Sequence, residues 1–264
     1  MTRTLKSLGL AGIVFLLPLL ISVVYPTSDH AFSANAAEKK EPKYKDVKTR
    51  KRASVGKTCS KALDRVRGEK SPIAEAGDAE EGVDVTPFFL EAKEMLEDIE
   101  KSSKKCSSAY EETQVWSTMG YVYFALDDIP GAAIYYRKIV DSDGAEPEFR
   151  LDTRLTLGQF YAAMEKYEMA IEQYEIWAEA AFVVGAQERL TMAQLYYQLE
   201  RKDDSLRSVK LGISEAEAKG ILPKESFWAL GTALYNEKNQ MDKVIDYLEK
   251  LVTHYPKWKY WKQL

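Results

Sequence analysis

The chain has 264 residues, 45% hydrophobic and 30% charged, with a formal net charge of −4. An acidic balance argues against a nucleic-acid-binding body, and the length allows two ordinary domains or one continuous repeat array. Of the two histidines only His254 lies beyond residue 36, so no histidine triad or multi-histidine metal site can be built there.

Residues 1–36 read as a secretory signal. Arg3 and Lys6 supply the positive start, and Leu8 to Val24 is apolar apart from Ser22, with Pro18 inside it. Ala34-Asn35-Ala36 is a small-x-small cleavage site, which places the cut after Ala36. The alternative is an uncleaved anchor, but the apolar run is about 17 residues, at the lower limit for a spanning helix. Residues 37–57 follow as a basic arm, nine basic residues against Glu38, Glu41 and Asp46, and residues 58–264 are net −11. Few apolar residues predict disorder here. The arm is either a solvated linker or a contact for anionic lipid or an acidic partner.

Residues 58–106 read as a degenerate hairpin. Its helices are expected over Thr58 to Arg67 and Pro87 to Lys101, with Phe88, Ala92, Met95, Leu96 and Ile99 on one face of the second. Thr86-Pro87 is a helix start, and the link 68–85 is expected to be a mobile loop. Cys59 and Cys106 flank this unit and are the only cysteines. In an oxidising compartment they are candidates for a disulfide, which would close a loop of roughly 48 residues; the alternative is two free thiols. Their spacing excludes a CxxC redox or zinc motif.

From 107 to 256 one pattern recurs four times. Trp116, Gly120 and Tyr123 precede Ala132, Tyr136 and Ile139. Leu157, Gly158 and Tyr161 precede Ala170, Tyr174 and Trp177. Met192, Ala193 and Tyr196 precede Ser205 and Val209. Trp228, Thr232 and Tyr235 precede Val244, Leu248, Leu251 and Pro256. The small residue of each first helix falls at 120, 158, 193 and 232, a period that signals a solenoid. Polar breaks at Asp127-Asp128, Glu165-Lys166, Arg201 to Asp204 and Lys238-Asn239 separate the two helices of each unit. The predicted fold is all-α, a right-handed solenoid of stacked antiparallel helix hairpins. One hairpin cannot bury its faces alone, so neighbours must stack. Residues 257–264 begin a further stripe with Trp258, Tyr260, Trp261 and Leu264; either the polypeptide continues or this end docks on a partner.

The ordered classes in these units resemble the tetratricopeptide repeat family. The third unit departs, with Arg189 at the tryptophan position, Ser205 at the second small position and Gly212 at the last. The resemblance implies that the first helix of each repeat lines an inner wall. By position that wall holds Gln114, Ser117, Tyr121 and Phe124, then Asp152, Leu155, Gln159 and Ala162. Gln187, Leu190, Gln194 and Tyr197 follow, then Ser226, Ala229, Ala233 and Asn236. Tyr121, Phe124, Asp152, Gln159, Gln187, Gln194, Tyr197 and Asn236 are the candidates for partner binding. Amides can pair with an extended backbone and aromatics can anchor apolar side chains; the competing role for each is packing between repeats.

Little points to catalysis. Gly56-Lys57-Thr58 echoes the end of a phosphate loop, but the leading glycine would have to be Lys51 and no strand precedes it. No nucleophile, base or metal constellation stands out, and no cofactor is expected. The leader, Ser108-Ala109-Tyr110-Glu111 before Val115-Trp116, Leu151 to Arg154, Tyr174 to Trp177 and Tyr255-Pro256-Lys257 also resemble periplasmic tetratricopeptide proteins encoded beside TonB systems of Gram-negative bacteria. That resemblance implies a periplasmic, non-catalytic adaptor, an accessory of TonB-dependent uptake with protein partners in the envelope. Its membrane contact would run only through the signal segment or the arm. The alternative is a cell-wall-associated binding or regulatory subunit acting on peptidoglycan enzymes.

Overall fold

The computed structural model describes residues 43–45, 47, 53–102 and 104–264. The signal-like segment 1–36 lies outside them. Twelve helices follow in chain order: α1 (Lys57–Arg67), α2 (Pro72–Asp78), α3 (Thr86–Lys101), α4 (Ala109–Ala125), α5 (Ile129–Asp141), α6 (Pro147–Ala163), α7 (Tyr167–Ala180), α8 (Ala186–Gln198), α9 (Lys202–Ala218), α10 (Glu225–Glu237), α11 (Met241–His254) and α12 (Trp258–Trp261). Each helix packs mainly on its sequence neighbours, which is the one-dimensional architecture of a solenoid. Among the described residues the only β pairing is a single antiparallel bridge, Tyr44 to Ala181, and no helix is long and apolar enough to cross a membrane.

Four hairpins share one turn. Asp127, Glu165, Glu200 and Asn239 each adopt φ near +57°, between 56° and 59°, and each lies seven residues after the small residue of its first helix. The next residue's N–H reaches back to a tyrosine carbonyl: Asp128 to Tyr123, Lys166 to Tyr161, Arg201 to Tyr196 and Gln240 to Tyr235, all within 2.8–3.0 Å. This is a Schellman closure made four times without glycine. The third break is therefore shorter than its polar run implies: Lys202, Asp203 and Asp204 form the first turn of α9, where acidic side chains suit the helix dipole.

Small-against-large contacts set the hairpin spacing. A side chain at Gly120 would run into the Tyr136 ring, and one at Gly158 would come within 2.9 Å of Tyr174. The third repeat compensates for its departures. Ser205 is fully buried and donates to the Ala193 carbonyl at 2.7 Å. Arg189 replaces the aromatic with an ion pair to Glu215 on α9, 2.8 Å from Nη2. Gly212 makes room for the Phe227 ring of the next repeat. Trp116, the first large residue of the repeat pattern, is only half-buried and donates its indole N–H to Glu100 at 3.3 Å.

The N-terminal unit differs from expectation in two places. The link 68–85 contains α2, started by Ser71, whose side chain accepts from the Ala74 N–H at 3.2 Å, and by Pro72 at the first helical position. The basic arm is not wholly free: Tyr44 is 3% exposed and joins the core around α6 and α7, with Val47 packed against it. One aromatic and a short stretch of main-chain pairing are enough to dock a segment whose composition reads as disordered. Cys59 and Cys106 are joined in a disulfide, inside a cluster with Leu63, Phe89, Leu96 and Met119.

Candidate partner-binding surface

The first helices α4, α6, α8 and α10 carry the predicted wall. Their aromatic members act as struts between neighbours. Tyr121 meets Phe89 of α3 edge-on at 5.9 Å between ring centres, and Phe124 stacks on Phe160 of α6 at 5.6 Å. The Tyr197 hydroxyl donates to Glu237 of α10 at 2.6 Å. Ala162 and Leu190, placed on the wall by register, are buried in the core instead, because the close packing of successive repeats turns the edge of each first helix inward. The amides stay accessible. Gln159 and Gln194 are half-buried, Asn236 is exposed, and Gln187 is exposed with its carbonyl oxygen accepting from Lys224 at 2.8 Å. The structure spreads these candidates over successive repeats rather than gathering them at one point.

Asp152, in the second turn of α6, stands apart because it is already engaged. Residues 43–45 of the arm run antiparallel to the segment that follows α7. The Lys45 N–H donates to the Ala180 carbonyl at 2.7 Å, and the Phe182 N–H donates to the Lys43 carbonyl at 3.3 Å. The Tyr44 hydroxyl donates to Asp152 and accepts from the Trp177 indole N–H, the latter at 3.1 Å. Lys43 pairs with the same carboxylate at 2.7 Å, and Lys45 Nζ reaches the Glu179 carbonyl at 3.3 Å. Burial, and then the adjacent Asp152 carboxylate, push the Tyr44 hydroxyl well above its ordinary pKa, so it remains a protonated donor. The clue within the sequence was Tyr44 itself, the single aromatic in a run of lysines.

The energetics of this contact nearly balance. Burying the tyrosine is worth about 2–3 kcal/mol. Its charge-assisted hydrogen bond adds about 2 kcal/mol and the two main-chain bonds about 1 kcal/mol each. Fixing the backbone of residues 43–45 and 47 costs about 1–2 kcal/mol apiece. The two ranges overlap, so the segment sits close to an even balance between docked and free.

Elsewhere the surface offers two shallow recesses. One, of about 310 Å³, is lined by Glu168, Ile171, Glu172, Glu175, Leu199 and Arg201. There Arg201 pairs with Glu175 and Asp204 and lies 4.6 Å over the Tyr196 ring. The other, of about 210 Å³, opens beside Cys106 and Trp116. The first is at the lower end of the range for small-molecule sites and the second falls below it. Among the described residues no group of three His, Cys, Asp or Glu side chains is placed to hold a metal ion. Gly56, which opens the phosphate-loop echo, precedes α1 and gives its N–H to Glu111 at 2.8 Å.

The sequence model for the tetratricopeptide repeat matches residues 225–257, which span α10, α11 and the turn after them. The fold is that of a tetratricopeptide-repeat solenoid. Among solved structures, YrrB, described as a tetratricopeptide-repeat protein with an unusual peptide-binding site, is similar with a TM-score of 0.51 at 15% identity, over 78% of this chain and 98% of YrrB. A MamA structure from MSR-1 gives 0.48 at 18% identity, over 73% of this chain and 93% of its own. PilW, described as a widely conserved type IV pilus biogenesis factor, gives 0.45 at 14%, over 78% and 96%. No curated protein matches the chain. The hairpins α4 to α11 have the tetratricopeptide-repeat fold.

Proposed function

We propose that this protein is a non-catalytic adaptor of the cell envelope, which holds a protein partner on the wall formed by α4, α6, α8 and α10. The observation that carries the reading is the docked arm: a face of this solenoid binds an extended segment through main-chain pairing, a buried tyrosine and flanking lysines. Peptide capture of this kind joins β-strand pairing to a side-chain slot. The accessible amides of Gln159, Gln194 and Asn236 extend the same chemistry along the wall. The leader-like start and the paired cysteines support a periplasmic location. The resemblance to proteins encoded beside TonB systems supports a place in TonB-dependent uptake.

A second reading, a cell-wall-associated binding or regulatory subunit, is favoured by one observation. Trp258 and Trp261 are 72% and 53% exposed, and exposed indoles are common platforms for sugar rings. The test replaces Gln194 or Asn236 with a photo-crosslinking amino acid in cells and identifies the products by mass spectrometry. TonB-complex components attached to both positions are the expected result. Peptidoglycan enzymes at these positions would transfer the assignment to the second reading. An absence of protein adducts would overturn the adaptor.

A further inference from the structure

The arm site reads three separate properties of an extended peptide. The Ala180 carbonyl and the Phe182 N–H pair with main chain and accept any sequence. Asp152 and Trp177 both meet one hydroxyl at the bottom of a buried slot, which selects tyrosine over phenylalanine. The Asp152 carboxylate and the Glu179 carbonyl receive the ammonium groups on either side. The body that presents these groups is acidic, and the segment it holds is basic. Beside the bridge, Phe182 and Val183 remain 52% and 64% exposed, so apolar surface continues past the docked residues. A segment tethered to its own site competes at high effective concentration, and the near balance of docking leaves it replaceable.

We propose that the Asp152–Trp177–Ala181 site is a receptor for an extended, lysine-flanked tyrosine segment of a partner protein, closed in cis by residues 43–45 until that partner displaces them. The inference deepens the adaptor reading and rests on it. It differs in naming the recognised chemistry and in placing a self-occupied site where the chain regulates access.

The test is fluorescence anisotropy with pure full-length protein and two labelled peptides. One is Glu-Pro-Lys-Tyr-Lys-Asp-Val-Lys-Thr, the chain's own 41–49 sequence; the other keeps only Lys-Tyr-Lys in an alanine–serine background. The Tyr44→Ala variant should bind both peptides about two- to tenfold more tightly than the unsubstituted protein, because its own arm no longer fills the slot. Adding Asp152→Asn should weaken that binding at least tenfold, and replacing the peptide tyrosine with phenylalanine should weaken it about fivefold. Lys45→Pro, which removes the N–H given to Ala180, opens the site by a second route if Tyr44→Ala fails to fold. Failure of both variants to bind, with helicity unchanged by circular dichroism, would make the arm a fixed strap and overturn the proposal. So would loss of binding to the Lys-Tyr-Lys peptide alone, since recognition would then need this chain's own sequence. Self-association of the unsubstituted protein that Tyr44→Ala abolishes would replace the partner with a second copy. Because no envelope component is present, these outcomes are independent of the cross-linking result.

Discussion

The N-terminal unit, α1 to α3, and the four regular hairpins, α4 to α11, solve the same packing problem by different means. The regular hairpins rely on register: a small residue facing a ring, repeated at fixed distance from a left-handed turn. The N-terminal unit has no such register; it packs on α4 through an apolar cluster around Leu63, Phe89, Leu96 and Met119 and adds a few covalent and polar ties. The disulfide ties α1 to the start of α4. Arg67 donates to Thr118 at 2.9 Å. Glu100 at the end of α3 accepts from Trp116, Tyr135 and Lys138 at 3.3, 3.2 and 2.7 Å. These ties are specific to the N-terminal unit, whereas the repeats reuse one steric arrangement along the stack. The comparison can be broken by removing those groups one at a time.

The largest effect should come from the disulfide. Replacing Cys59 and Cys106 with serine removes a constraint worth about 4 kcal/mol in the chain-entropy model. Because coupling in a solenoid runs between neighbours, hydrogen exchange should rise across α1 to α3 and leave α8 to α11 protected. Uniform loss of protection would show that the N-terminal unit nucleates the whole stack. Next in size is Gly120→Ala in the regular region. The new methyl would run into the Tyr136 ring, which is itself wedged edge-on against Phe160 at 5.2 Å. Overpacking of this kind costs about 1–3 kcal/mol, read as a lower midpoint in denaturant.

The contrast also explains what the sequence could and could not disclose. Register leaves a trace, so the four hairpins, their turns and their small positions are legible from 107 to 256. Single ties leave almost none. The Ser71-Pro72 start of α2 is a cap signal that the reading of 68–85 as a mobile loop did not use. Arg189 reads as a defect until Glu215 is seen opposite it. The docked arm was hidden for a related reason: its fit depends on Asp152, Trp177 and Ala180, more than a hundred residues away in the chain. Register places Ala162 and Leu190 on the predicted wall, but both are buried, because their orientation depends on how closely successive repeats pack.

Glu111 offers a smaller, pH-dependent way to loosen the N-terminal unit. Its carboxylate closes the capping box with Ser108 and also receives the N–H groups of Ser107 and Gly56, at 3.0 and 2.8 Å. The hydrogen bonds from Ser108 and then Gly56 hold its pKa below the ordinary 4.5. Its contribution is therefore fully present above that value and is lost as pH falls through the lower folded-state value. Glu111→Gln should cost about 1 kcal/mol at pH 7 and less as the medium is acidified toward pH 3. A cost that stays constant with pH would mean that the carboxylate charge plays no part in the attachment.

The smallest predicted effect has the opposite sign and is the sharpest form of the comparison. Gly77 lies in α2, exposed, with nothing within 4 Å of where a side chain would start. Gly77→Ala is the same chemical change as Gly120→Ala, made in the region that lacks register. It removes the conformational freedom of glycine from a helical position and meets no neighbour, so it should stabilise by about 0.5–1 kcal/mol. Thermal melts of the two single variants should therefore move in opposite directions. If Gly77→Ala also destabilises, α2 is packed against something more demanding than its open surroundings indicate, and the N-terminal unit would share the tight geometry of the repeats. If Gly120→Ala is neutral, the Tyr136 ring can retreat, and the small positions would reflect the history of the repeat rather than a present steric need.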